Sequence, residues 1–194
     1  RVAPLDVSPM PMAPAPVPVP RAAPPVLPAF ETRFVGRRRD IASVLELLET
    51  RRLVTLTGVG GIGKTRLAGE VAAREAALGT ATIFVDASEF TEPDHVPSVV
   101  ARAFGLPDLH VEDAPEALSA YVAGRNFLLV LDNCEHVVPA IARLLEVLYT
   151  SARSGRFLAT SREVLGLSFE TVWTVGSLDL PADPGDANPA TALE

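Results

Sequence analysis

Hydrophobic positions along this chain fall into short runs of β-branched, leucine and phenylalanine residues, separated by longer stretches in which apolar residues recur every three or four positions. The short runs at Leu53 to Thr57, Thr82 to Asp86, Phe127 to Asp132, Phe157 to Thr160 and Thr171 to Val175 read as strands. Between them the spacing is helical, as at Ile41, Val44, Leu45 and Leu48, which a 3.6-residue period lays on one face. This predicts helices over Arg37 to Glu49, Lys64 to Ala77, Val96 to Phe104, Ala114 to Val122 and Val138 to Thr150. Strands alternating with helices predict an α/β fold of three layers, a five-stranded parallel sheet with helices on both faces. The run Phe127 to Asp132 is apolar at every position until its acidic end, as a central strand buried on both faces should be.

The two ends break this pattern. Ten of the first 28 residues are proline, interleaved mostly with Ala and Val, and each X-Pro step favours extended or polyproline backbone over helix. Residues 1–29 are expected to be a disordered Pro-rich linker, with 30–180 the folded domain and 181–194 a loop or the truncated start of the next element. A lead-in that begins at Arg1 without a methionine is expected to have joined two domains of a longer protein.

Composition narrows the function classes. A net charge of -7 argues against a surface built to hold a nucleic-acid backbone, which needs clustered Lys and Arg. No run approaches the roughly 18 unbroken apolar residues of a membrane span, so a soluble protein with no membrane partner is expected. A single cysteine, Cys134, cannot form an internal disulfide, and the N-terminus lacks a secretory pattern, which together fit a cytoplasmic setting. The 17 Lys and Arg residues include only one lysine, Lys64. A compact ammonium fits between phosphates in a narrow loop where a forked guanidinium does not.

Lys64 lies within Gly58-Val59-Gly60-Gly61-Ile62-Gly63-Lys64-Thr65, a GxxxxGKT sequence between a strand and a helix. Glycines allow the tight turn that points backbone N–H groups inward at phosphates, and the helix adds the positive end of its dipole. Gly58, Gly60, Gly61, Ile62, Gly63, Lys64, Thr65 and Arg66 are therefore the expected nucleotide-binding residues. Lys64 is expected on the β and γ phosphates and Thr65 on Mg²⁺. The apolar strand Phe127 to Leu131 ends in Asp132, an acid that can hold Mg²⁺ through a water; the carboxyl ends of adjacent strands converge on one crevice, so Gly58 and Asp132 can meet there. Asn133 follows, and it can position a water but not take its proton, which favours binding over fast turnover. Glu135 is a candidate base, or else a solvated acid at a helix start. Arg162, after the run Phe157-Leu158-Ala159-Thr160-Ser161, can sense a γ-phosphate, or else pair on the surface with Glu163 or Glu170. Lys64, Asp132, Glu135 and Arg162 are thus the candidate catalytic set. Guanine recognition through Asn-Lys-x-Asp is impossible because no second lysine exists, so ATP or ADP is favoured.

Phe34-Val35-Gly36-Arg37-Arg38-Arg39-Asp40, GVGGIGKT, LLVLDNCEH and FLATSRE together resemble the STAND class of signalling ATPases, and most closely the NB-ARC-like module of SARP/AfsR-type and LuxR-type bacterial transcription regulators. The resemblance covers about Phe30 to Pro181. It implies a switch, closed with ADP and opened with ATP for assembly, with Val35, Gly36 and Arg37 beside the adenine and Arg162 as the sensor arginine. Arg39 stands where the family often has glutamate. The family's Gly-Leu-Pro-Leu lid, winged helix and helical-repeat sensor do not occur in these 194 residues. The resemblance therefore implies that DNA is reached only through domains outside this chain, and that self-assembly belongs to the full-length protein. Two other readings remain open at this point. A P-loop small-molecule kinase or housekeeping ATPase would transfer phosphate to an added acceptor, and a degenerate interaction module would bind no nucleotide.

Overall fold

A computed structural model of the chain describes residues 27–28, 36–90 and 92–177. The segment expected as a linker, apart from residues 27–28, and the segment 181–194 lie outside the described residues. The elements in order are α1 (Arg38–Thr50), β1 (Leu53–Thr57), α2 (Lys64–Ala77), β2 (Ala81–Asp86), α3 (Val96–Ala103), α4 (Ala114–Val122), β3 (Phe127–Asp132), α5 (Val138–Ser151), β4 (Gly155–Ser161) and β5 (Glu170–Thr174). Short 3₁₀ turns at Ala87–Glu89, Pro93–His95 and Cys134–His136 complete the trace.

The five strands form one sheet in the order β2-β3-β4-β1-β5, and every neighbouring pair is parallel. The expected three-layer α/β fold with a five-stranded parallel sheet, that of P-loop NTPases, is the observed one. Alternate side chains of each strand point to opposite faces, so β1 to β4 each feed two cores, while β5 at the sheet edge gives only Trp173 to one of them. Phe127, Leu129 and Leu131 join the core under α3, α4 and α5, while Leu128 and Val130 join the core under α1 and α2. Phe127 anchors the first core with edge-on contacts to Phe104 (5.1 Å) and Phe157 (5.8 Å). The second core seats Leu67, Ala68, Val71 and Ala72 of α2, which fixes the start of that helix against the sheet.

The topology corrects one expectation. β1 and β3 are not adjacent, because β4 runs between them and pairs with both. Gly58 and Asp132 therefore approach each other across the end of β4, and the residues there, Thr160 to Arg162, occupy the middle of the crevice. β4 also extends past its expected Phe157 to Thr160, since Gly155 and Arg156 pair with Phe127 and Leu128. Among the described residues, no helix is long and apolar enough to cross a membrane.

Candidate functional site

The loop leaving β1 carries the glycine-rich sequence onto the N-terminus of α2. Two glycines are dictated by geometry. Gly58 has φ 150°, and a Cβ there would lie 3.1 Å from the Val175 carbonyl oxygen, so the loop presses against the chain leaving β5. Gly63 caps α2 in the left-handed region, with φ 97°, which a side chain would strain. No side chain caps α2, so the first-turn N–H groups face the loop as an anion-ready terminus. Lys64 is 8% exposed, and its Nζ donates to the carbonyls of Gly58 (2.8 Å) and Val59 (3.1 Å). An ammonium has three donors, which leaves one beyond these two.

Gly60, Gly61, Gly63, Lys64, Thr65, Arg66, Asn133, Glu135 and Arg162 line one cleft of about 310 Å³. Residues far apart in sequence are thus brought to one place. Arg66 lies at its wall and pairs with Glu70 at 3.4 Å. Ile62 is partly buried against the α1–α2 core, and its carbonyl rather than its side chain ties the loop to its surroundings.

Asp132 is 1% exposed at the end of β3. Its carboxylate accepts hydrogen bonds from the hydroxyls of Thr160 and Thr65 and from the Asn133 side-chain amide (3.2 Å). Asn133 also donates its side chain to Asp86 (3.1 Å) and its backbone N–H to Thr160 (3.0 Å). Among the described residues it is the only non-glycine with positive φ, at 58°. Asn tolerates this region, and such conformations concentrate at functional sites. Asp86, directly opposite Asp132 in the sheet register, and Thr160 were both missed as site residues in the sequence. The available signal was that Asp86, like Asp132, ends an apolar strand.

Arg162 pairs with neither Glu163 nor Glu170. Its Nε lies 3.0 Å from Glu135 Oε1. Glu170 is engaged elsewhere, accepting the backbone N–H groups of Leu165 and Gly166 at 2.9 Å each. Glu135, far from being a solvated acid, is 14% exposed, with its Oε2 buried and without a hydrogen-bond partner. Cys134 packs in the core and donates its thiol to the Leu131 carbonyl, and burial pushes that thiol well above its ordinary pKa.

Of the stretch expected beside adenine, Val35 lies outside the described residues. Gly36 and Arg37 line a second cleft of about 320 Å³ together with Gly176 and Ser177. The Arg37 guanidinium is bound by protein groups: Asp40 (2.8 Å), the Ile62 carbonyl (2.9 Å) and the Gly176 carbonyl (2.8 Å).

The pKa values of the two acids at the strand ends are shifted in opposite directions. Burial raises the Asp132 pKa above its ordinary value, against hydrogen bonds from Thr160 and Thr65 and with the help of the Asp86 charge. Burial acts on Asp86 too, but hydrogen bonds from the Ser88 side chain and backbone and from Asn133 outweigh it, and its pKa falls. Ionising Asp132 therefore subtracts stability as pH rises through its folded pKa. Ionised Asp86 adds stability, which is lost as pH falls through its own. At neutral pH without divalent cations, Asp132→Asn is expected to raise the melting temperature and Asp86→Asn to lower it, each by roughly 2–4 °C. Scanning calorimetry at neutral and acid pH checks this, and the Asp132→Asn gain should shrink in acid, where the wild-type carboxyl is itself neutral.

The buried carboxylate bears on whether Mg²⁺ fits. Thr65 and Asp132 offer hard oxygen donors in contact with one another, and a divalent cation would offset the cost of a buried carboxylate. The donor set suits Mg²⁺.

A family model described as an AAA domain matches residues 47–164. The chain belongs to this family. It is an AAA-type P-loop NTPase domain, and some of its relatives are named as transcriptional regulators. A Mycobacterium tuberculosis protein named as an HTH-type transcriptional regulator is 42% identical over 69% of this chain and 15% of its own length. The regulatory protein AfsR of Streptomyces coelicolor is 33% identical over 57% of this chain and 13% of its own. The chain thus spans about one-seventh of the length of these two curated relatives. Among solved structures, a STAND protein with a tetratricopeptide repeat sensor from Pyrococcus horikoshii superposes with a TM-score of 0.52 at 19% identity, over 76% of this chain and 24% of that one, a likeness of fold.

Proposed function

We propose that this chain is the ATP/ADP-binding switch domain of a larger transcriptional regulator, related to the NB-ARC-like module of STAND proteins, with residues 30–180 as the nucleotide-binding domain, 1–29 as a linker and 181–194 leading to a further element. The observation that carries the reading is the meeting of Lys64 and Thr65, at the uncapped start of α2, with Asn133 and Arg162 around one cleft, and with Asp132 buried behind Thr65 and Asn133. Loop amides from Gly58 to Arg66 would cradle the phosphates, Lys64 would bridge the β and γ groups, and Thr65 and Asp132 would hold Mg²⁺. Mg²⁺ there would neutralise phosphate charge. The second cleft, along Gly36 and Arg37, offers a place for the adenine on the other side of the phosphate loop. Asn133 cannot accept a proton from water, and Glu135 has one oxygen committed to Arg162, which supports slow or partner-dependent hydrolysis.

A switch needs two states with different affinities for its ligands. Arg162 supplies a group that a triphosphate can engage and a diphosphate cannot. The names of the relatives support DNA contact through domains outside this chain, and the full-length protein is the setting for self-assembly, in the cytoplasm. Calorimetry with ATP, ADP and GTP, with and without Mg²⁺, tests the reading. Adenine-selective, Mg²⁺-dependent binding is expected, whereas absence of binding to all three would leave an interaction module that keeps only the fold.

A further inference from the structure

Glu135 and Arg162 were expected to act separately, one as a base and one as a sensor, yet the structure joins them. Arg162 leaves the end of β4 with a side chain 65% exposed. An arginine so exposed would sample many rotamers and would lose that freedom on meeting a phosphate. Here its Nε is held 3.0 Å from Glu135 Oε1. The guanidinium is planar, with five donors in fixed directions, so holding the Nε edge orients the rest. The guanidinium lies across the phosphate loop, with Nη2, Cζ and Nε at 3.7, 3.9 and 4.0 Å from the position that a Cβ on Gly60 would take. The one cation thus meets both the Glu135 carboxylate and the phosphate loop, and both residues line the cleft that contains Lys64 and Thr65.

We infer that Glu135 is a positioning residue for Arg162, anchoring the Nε edge of its guanidinium so that the terminal nitrogens face the γ-phosphate of a bound triphosphate. The inference rests on the reading of this cleft as a nucleotide site. Glu135 is suited to the task because it is itself fixed: it sits in the 3₁₀ turn Cys134–His136, whose Cys134 is fully buried in the core. It is poorly suited to activating water. Its Oε1 is on Arg162 and its Oε2 is buried, so neither oxygen is free to face a water in the cleft.

The consequence is a difference between triphosphate and diphosphate, which a merely structural ion pair would not produce. Calorimetry on the full chain with Mg²⁺-ATP and Mg²⁺-ADP, using wild type, Glu135→Ala, Glu135→Gln, Arg162→Ala and the double alanine variant, reads it directly. Glu135→Ala should weaken ATP binding roughly five- to tenfold, through the restored rotamer freedom of Arg162, and leave ADP binding unchanged. Glu135→Gln, whose side-chain carbonyl still accepts from Nε, should restore most of the ATP affinity. The double variant should bind ATP no more weakly than Arg162→Ala, since Glu135 acts only through that arginine. Tighter ATP binding by Glu135→Ala would mean that the carboxylate competes with phosphate, and equal losses for ATP and ADP would reduce it to a structural contact. Loss of hydrolysis in Glu135→Gln at undiminished ATP affinity would make it the base. Each of these overturns the inference alone, whereas a wild type that binds neither nucleotide removes the nucleotide reading with it.

Discussion

Lys64→Ala is expected to weaken ATP binding by about two orders of magnitude while leaving the fold in place. A charge-assisted hydrogen bond in a partly desolvated site contributes about 1.5–3 kcal/mol, and the upper part of that range is roughly a hundredfold in affinity. Lys64 is placed to deliver it, since its side chain is 8% exposed and its Nζ already lies against the loop carbonyls of Gly58 and Val59. Those two bonds are to the loop, not to the core. The helix that carries Lys64 is held by Leu67, Ala68, Val71 and Ala72, all fully buried, so the variant should melt within about 1 kcal/mol of wild type. Lys64→Arg should recover little of the affinity, because a forked guanidinium does not occupy the space of an ammonium between two phosphates. Calorimetry paired with a thermal melt separates lost contact from lost fold. ATP affinity undiminished in a folded Lys64→Ala protein would place the nucleotide somewhere other than the glycine-rich loop.

What could be read from the sequence was local. The boundaries of β1, α2, α4 and β3 fall where periodicity and apolar runs put them, because each is set by residues within the element itself. β4 shows the opposite case. Gly155 and Arg156 have little strand preference, and they are extended because Phe127 and Leu128 of β3 pair with them. The placement of β4 between β1 and β3 is likewise a property of the whole sheet, and it brings Thr160 onto Asp132. The glycine-rich loop and Asp132 were legible because their chemistry restricts residue type at fixed spacing. Partners were not. Arg162 has acids one and eight residues onward, yet it pairs with Glu135, 27 positions back, because the ends of β3 and β4 lie side by side. Asp86 escaped notice for the same reason: its role depends on Asn133, which reaches it only across the β2–β3 register.

Arg37→Ala should produce the largest loss of stability among the site variants, about 3 kcal/mol, or roughly 6–12 °C in melting temperature. The guanidinium is 5% exposed and donates to Asp40 at the start of α1, to the Ile62 carbonyl in the phosphate loop and to the Gly176 carbonyl beyond β5. Removing it leaves two partly buried carbonyls without their donor, and unsatisfied groups of this kind cost about 1–3 kcal/mol each. The Asp40 pair adds little, since that carboxylate is 30% exposed and screened by water. Arg37→Lys should therefore recover only a small part of the loss, because it keeps the charge but cannot span acceptors on three separate segments. The damage should also reach nucleotide binding. Arg37 Nε lies 4.0 Å from the position of a Cβ on Gly63, directly behind the cap of α2, so loosening it frees the amides that would hold phosphate. ATP and ADP should weaken together, unlike the selective loss expected at Glu135. An unchanged melting temperature with weakened adenine binding would instead mean that water replaces the three bonds and that Arg37 acts at the base, as the family resemblance implied.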